Sequence, residues 1–112
     1  MNYNNRQFKG RSNSENGEVS SETIFHYFQE GSKFWGTYSG GTIIEGHLLG
    51  KVLEDHSIKF LYHHLNQDGD LLAGRCSSKP KSGEESQLVL EERWQWLTGD
   101  RSEGYSEVEE II

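Results

Sequence analysis

The sequence has few of the residues on which several classes of protein depend. Its 112 residues include one alanine (Ala73), one proline and one cysteine (Cys76). A single alanine beside 13 glycines argues against a helical domain, because alanine is the strongest helix former and glycine one of the weakest. A lone cysteine cannot close an internal disulfide, so nothing in the chain calls for an oxidising compartment.

Long apolar runs and excess positive charge are also missing. No run approaches the roughly 20 apolar residues that span a bilayer, and Met1–Arg6 lacks the apolar stretch of a secretory signal. The formal net charge of −7 at pH 7 argues against general attraction to DNA, RNA or anionic lipid. We therefore expect a soluble cytoplasmic protein that binds neither nucleic acid nor membranes.

Aromatic residues, in contrast, make up 12% of the chain. Disordered chains are poor in such residues, and large rings bury more area than aliphatic side chains. The length suits one domain. We expect a single folded domain over residues 1–112, with residues 1–6 flexible.

Turn signals divide the chain at regular intervals. Asn16-Gly17 and Asp68-Gly69 are signatures of two-residue hairpins, and Pro80–Gly83 is one of five further connections. Seven connections imply about eight strands, spaced as in an antiparallel meander rather than in βαβ units. The strands are expected at Gln7–Asn13, Val19–Gln29, Lys33–Tyr38, Thr42–Leu53, Ser57–Asn66, Asp70–Lys79, Ser86–Leu97 and Tyr105–Ile111.

Two of these segments alternate cleanly between apolar and polar positions, which is the signature of a strand. The apolar faces are Ile58, Phe60, Tyr62 in one segment and Leu88, Leu90, Trp94, Trp96 in the other. A helix over Gly83–Leu97 is the alternative for the second segment, because its charges can form pairs four residues apart. The period of two fits that segment better.

Glycines inside the expected strands favour a closed barrel. They occur at Gly10, Gly36, Gly46, Gly50 and Gly74, and glycine is typical of the corners where barrel strands bend. We predict an all-β fold, a compact up-and-down antiparallel β-barrel similar in architecture to lipocalins and avidins. A two-layer sandwich or an open, curled sheet remains the alternative.

Polar side chains on the apolar faces are the candidate functional residues. Glu92 shares the face of Trp94, and an inward carboxylate is costly unless it is paired or hydrogen-bonded. A barrel of about eight strands can hold one small ligand. The predicted ligand pocket consists of Tyr38, Tyr62, His64, Glu92 and Trp94. The alternative without a ligand has Glu92 bound to Arg75 or a tyrosine hydroxyl, or placed at the barrel rim.

The histidines and the cysteine predict no metal site and no cofactor. His26, His47, His64 and Cys76 could converge inside a barrel, but their spacing matches no known ligand pattern. Cys76 is expected to be a small buried apolar residue, since no flanking motif supports a nucleophile.

Three stretches carry a resemblance to a known family: Ser12–Val19, Tyr38–Gly50 and Glu92–Asp100. They resemble short bacterial proteins often called N-acetylglutamate synthase, and the likeness covers nearly the whole chain. The resemblance implies acetyl transfer from acetyl-CoA to glutamate. No catalytic residue is assigned, because the nearest match to a pyrophosphate-binding turn, Gln7–Ser12, ends in serine and no helix follows it.

Tyr38–Gly50 also resembles one MORN-type hairpin, a repeat that implies lipid or protein contacts but needs several copies to bury a core. Three functions therefore remain open. The residues favour a non-enzymatic small-ligand-binding or interaction barrel; the alternatives are the acetyltransferase and a structural or protein-interaction module. The sequence leaves the ligand and the oligomeric state undecided.

Overall fold

A computed structural model describes residues 2–81 and 87–112, and within those ranges the chain forms eight strands and no helix. It therefore offers no helical segment capable of crossing a bilayer in either range. The strands are β1 (Arg6–Asn13), β2 (Ile24–Glu30), β3 (Lys33–Gly40), β4 (Ile43–Val52), β5 (Ile58–Asn66), β6 (Leu71–Pro80), β7 (Val89–Trp96) and β8 (Glu103–Glu110).

The eight strands form a closed antiparallel barrel. Each strand pairs with the next along the chain, and β8 returns to pair with β1, where Gly10 lies opposite Val108. Closure leaves no sheet edge with unpaired backbone groups. The predicted up-and-down barrel is confirmed, and the sandwich and open-sheet alternatives are wrong.

The largest difference from the expected strands lies between β1 and β2. Val19 was expected to begin the second strand, but β2 begins at Ile24 because residues 14–23 form a long connection. Asn16-Gly17 is not a two-residue hairpin, since Gly17 does not have the positive φ that such a turn needs. The β5–β6 connection also spans residues 67–70, with a positive φ at Gly69 alone. The structure leaves residues 82–86 undescribed, so the turn expected at Pro80–Gly83 and the strand start expected at Ser86 fall partly outside it.

The alternation in β7 follows the predicted register. Leu90, Trp94 and Glu92 are buried, whereas Glu91 and Arg93 between them are exposed. This segment is a strand, and the helix alternative is wrong from residue 89 to residue 96.

Aromatic rings fill the barrel by lying over glycines of the neighbouring strand. A Cβ added at Gly46 would overlap the ring of Tyr38, which is its cross-strand partner. The same relationship recurs twice, at the pairs Tyr62–Gly74 and Trp94–Gly104. These glycines thus make room for large side chains, the device by which an aromatic residue compensates for the poor packing of glycine in a strand.

The N-terminal residues close one end of the barrel. Tyr3 is fully buried, its ring meets that of Phe34 edge to face at 5.8 Å, and its hydroxyl donates to the carbonyl of His56. Tyr3 thus contacts the barrel at its base, and the flexibility expected of residues 1–6 stays a prediction. The long β1–β2 connection covers the opposite end of the barrel.

Candidate functional site

A small cavity lies inside the barrel beneath the β1–β2 connection. Its volume is about 40 Å³. Strands β2, β3, β5 and β7 supply its aromatic walls: Phe25, Tyr38, Phe60, Tyr62, Trp94 and Trp96. All of these residues point inward because they occupy alternate positions of their strands.

A chain of hydrogen bonds crosses the mouth of this cavity. His64 on β5 is buried, and its Nε2 lies 2.6 Å from Oε1 of Glu18 in the β1–β2 connection. Its Nδ1 lies 2.8 Å from the hydroxyl of Tyr38. Since a carboxylate only accepts, Nε2–H of His64 donates to Glu18. Asn66 donates to the other Glu18 oxygen at 3.0 Å.

Two further bonds hold the β1–β2 connection in the mouth. The indole Nε1 of Trp96 donates to the carbonyl of Asn16 at 3.0 Å, and the amide of Asn13 donates to the carbonyl of Val19 at 3.0 Å. Together with the contacts of Glu18, these bonds tie the connection to β1, β5 and β7. The connection therefore forms a lid, which we define as residues 14–23.

Glu92 lies deeper in the barrel, with 7% of its surface exposed. Its Oε1 accepts from the hydroxyl of Ser106 at 3.0 Å, and its Oε2 has no donor among the described residues. Burial raises the pKa of Glu92 to about 7, against the lowering effect of the neighbouring Ser106 and Ser78 hydroxyls. Ser78 Oγ lies beside the carboxylate without the geometry of a full hydrogen bond.

The alternative role for Glu92 is wrong in each of its forms. Arg75 points outward and donates to Gln95 Oε1 at 2.6 Å rather than to Glu92. No tyrosine hydroxyl reaches the carboxylate; that of Tyr27, also buried, has no partner of its own in the described part of the chain. Glu92 also lies inside the barrel and not at its rim.

The structure brings together all five residues of the predicted pocket, since Tyr38, Tyr62, His64, Glu92 and Trp94 line the same cavity. Their role in binding a ligand stays a prediction. Four further residues at this site were not predicted from the sequence: Glu18, Asn13, Asn66 and Trp96. Asn66 and Trp96 could have been found, because each follows a predicted residue by two positions on the same strand. Nothing in the sequence marks Glu18, which reaches the cavity only through the path of the lid.

The histidines do not converge. His26 contacts Asn5 and His47 contacts Glu45, both at exposed positions on the outside, whereas His64 points inward. Cys76 is buried among apolar groups, and burial raises its pKa well above the ordinary value. Across residues 2–81 and 87–112, no three His, Cys, Asp or Glu side chains cluster in a way that could hold a metal ion.

Comparison with known proteins adds one finding. A family model described as "Avidin-like protein" matches residues 1–111, nearly the whole chain. No curated protein and no solved structure matches the sequence. The match agrees with the closed barrel and gives no support to the resemblances to N-acetylglutamate synthase and to MORN repeats.

Proposed function

The chain belongs to the avidin-like protein family, and from that premise we propose that it is a non-enzymatic barrel that binds a small molecule in the cavity beneath its lid. The family binds small ligands such as biotin. One observation carries the proposal for this chain: the cavity combines aromatic walls with two buried polar atoms that have no hydrogen-bond partner among the described residues, Oε2 of Glu92 and Oδ1 of Asn13. Apolar walls with a few convergent polar groups are the usual form of a ligand site.

The size of the cavity limits what binds while the lid is in place. A volume of about 40 Å³ is far below the roughly 300–1,000 Å³ of pockets that hold whole small-molecule ligands. A larger ligand therefore has to displace the lid residues that line the cavity, Gly17, Glu18 and Val19. Displacement would free the donors of His64 and Asn66, which Glu18 now occupies, to bind an oxygen of the ligand.

The two other functions find less support. Gln7–Ser12 lies within β1 and does not form a turn leading into a helix, so this stretch does not provide the pyrophosphate-binding turn of an acetyltransferase. A purely structural module would be expected to pair or exclude the buried polar groups of its core. The unpartnered atoms of Glu92 and Asn13 favour a ligand instead.

Protein-observed NMR tests this proposal. The uniformly ¹⁵N-labelled chain is titrated with biotin and with a library of small fragments. Saturable shifts are expected in the indole and backbone amide signals of Trp94, Trp96 and the lid, because those groups surround the cavity.

A cavity-filling variant makes the test specific. Cys76→Met places a larger apolar side chain in the cavity, whereas Ser77→Met adds a methionine one residue away on the outer face. We expect Cys76→Met to abolish the shifts and Ser77→Met to retain them. Binding that survives Cys76→Met, or the absence of binding across the library, would contradict the proposed function.

A further inference from the structure

The cavity is lined by carboxyl groups and, within the described chain, by no lysine or arginine. The two carboxyl groups belong to Glu18 and Glu92. At the mouth, the Glu18 carboxylate accepts hydrogen bonds from His64 and Asn66. Glu92 receives a single hydroxyl bond from Ser106, and a buried carboxylate is costly without a charged or fully hydrogen-bonded partner. The described chain supplies no such partner.

The two unpartnered polar atoms of the described lining are acceptors when Glu92 is ionised. Oε2 of Glu92 and Oδ1 of Asn13 are buried and receive no hydrogen bond from the described residues. The orientation of the Asn13 amide is fixed, because its nitrogen donates to the carbonyl of Val19. Only a group rich in N–H or O–H donors can satisfy two acceptors, which excludes a carboxylate, a phosphate or an ether as the group bound in the depth of the cavity.

The walls beside Glu92 favour a cation among such donors. The rings of Trp94 and Trp96 lie 5.5 Å apart at 61°, and Tyr62 meets Trp96 at 5.8 Å and 66°. Both indoles line the cavity together with Glu92, and the face of a Trp ring attracts cations more strongly than the faces of the other aromatic residues. A cation gains more than a neutral donor from both partners, because its full charge attracts the ring faces and the ionised carboxylate of Glu92.

We propose that the ligand of this barrel carries a small cationic nitrogen group, an amidinium or a primary ammonium, which binds Glu92 beneath Trp94 and Trp96. This inference rests on the proposed function and names its ligand class. The cavity of about 40 Å³ admits only the head group, so the remainder of the ligand would extend toward the lid.

Titration of Glu92 gives the inference a predicted pH dependence. Its pKa of about 7 means that binding of a cation draws the carboxyl toward its ionised form, so that affinity rises between pH 6 and pH 8. The other titratable groups that influence Glu92 stay neutral there, because burial raises their pKa values further. They are Tyr27 on β2, Tyr62 on β5 and Cys76 on β6. Glu18 and His64 also line the cavity, and they hydrogen-bond each other at its mouth.

Acetamidinium and acetamide test the inference, because the two probes share a planar shape and N–H donors and differ in charge. Each is titrated into the ¹⁵N-labelled full chain at pH 6 and pH 8, and the indole signals of Trp94 and Trp96 are followed. We expect acetamidinium to bind at least tenfold more tightly than acetamide at pH 8, with a smaller ratio at pH 6.

Two variants locate the charge that is responsible. Glu92→Gln preserves size and shape and should reduce the cation preference to less than twofold. Glu91→Gln changes the net charge equally on the exposed face of the same strand and should leave the preference intact. Melting curves establish that both variants are folded.

The outcomes separate this inference from the proposed function. Equal binding of the two probes, or a preference that survives Glu92→Gln, would overturn the cationic ligand class while leaving a small-ligand barrel in place. Binding of neither probe also overturns it, and the fragment titration with Cys76→Met then decides the proposed function independently.

Discussion

The ring of Tyr38 lies over Gly46, its cross-strand partner, at a place where any side chain on residue 46 would overlap it. Tyr38 in turn hydrogen-bonds His64, which holds Glu18 of the lid. One glycine on β4 therefore sets the position of a ring on β3 and, through it, the polar groups at the mouth. Packing and the candidate site are coupled at this point.

Gly46→Ala should destabilise the protein, since the new methyl group displaces the Tyr38 ring. We expect a loss of roughly 1–3 kcal/mol, as for other overpacked cores, measured by urea unfolding. In the double variant Gly46→Ala/Tyr38→Leu the two losses should not add, because the smaller side chain removes the overlap. A loss below about 0.5 kcal/mol for Gly46→Ala would show that the ring shifts freely.

Trp94→Ala and Arg93→Ala compare the two faces of β7. Trp94 is buried, whereas Arg93 is exposed and lies 5.2 Å from the ring of Tyr105. Loss of the indole should cost roughly 3–5 kcal/mol, and loss of the guanidinium less than about 1 kcal/mol. Urea unfolding of both variants measures the difference, and equal losses would be incompatible with the register of this strand.

Glu18→Ala should open the lid, because it leaves Nε2–H of His64 and the amide of Asn66 without their acceptor. Cys76 in the cavity wall reports the opening through its reaction with a bulky disulfide reagent. Hydrogen bonds to charged groups contribute about 1.5–3 kcal/mol, so the reaction should accelerate roughly tenfold or more. Glu15→Ala, at an exposed position of the same lid, is the control and should leave the rate unchanged. Matched rates in the two variants would mean that Glu18 does not hold the lid.

Stability should depend on pH through Glu92. Its pKa in the folded protein, about 7, exceeds its ordinary value of 4.5, so the folded state binds the proton more tightly than the unfolded state. The stabilisation is complete below pH 4.5 and is lost as the pH rises to 7, by an amount of about 3 kcal/mol. Urea unfolding of the native protein and of Glu92→Gln is measured from pH 4.5 to pH 8. The free energy of unfolding of the native protein, minus that of the variant, should fall across this window. A constant difference would show that Glu92 is not the titrating group.

A row of lysines crosses the outer surface of the barrel. Lys51 on β4 lies directly opposite Lys33 on β3 and Lys59 on β5. Like charges in direct cross-strand pairs are destabilising by roughly 0.2–1 kcal/mol. Lys51→Glu should therefore stabilise the protein by a similar amount at low ionic strength and less at high salt, as measured by thermal unfolding. Lys9→Glu, which would face Glu109, should instead destabilise the protein. A loss of stability for both variants would contradict the charge explanation.

Much of the fold was predictable because its causes are local. The period of two in β5 and β7 reports burial on one face, and closely spaced turn residues permit only neighbouring antiparallel pairs. In a closed barrel all inward faces meet at one axis. Alternation along single strands was therefore enough to place Tyr62, His64, Glu92 and Trp94 in a common interior.

The path of the lid was decided only by tertiary structure. The local sequence predicts a tight hairpin at Asn16-Gly17 and a strand that begins at Val19. In the structure, this segment instead folds into the mouth of the barrel. Contacts distant in sequence hold it there, from Trp96 to Asn16 and from His64 to Glu18, separated by 80 and 46 positions. Such bonds outweigh a local turn preference because several act together on one short segment.

The surroundings of Glu92 were likewise predictable from the sequence only in part. The sequence by itself determined that a carboxylate lies inside the barrel, since the strand period admits no other direction for residue 92. Only the tertiary structure decided that Ser106, and neither Arg75 nor a tyrosine, is its hydrogen-bond partner, and that one oxygen has no donor in the described chain. The direction of a side chain follows from backbone geometry along one strand, whereas its partners depend on the register of strands that meet only when the barrel closes.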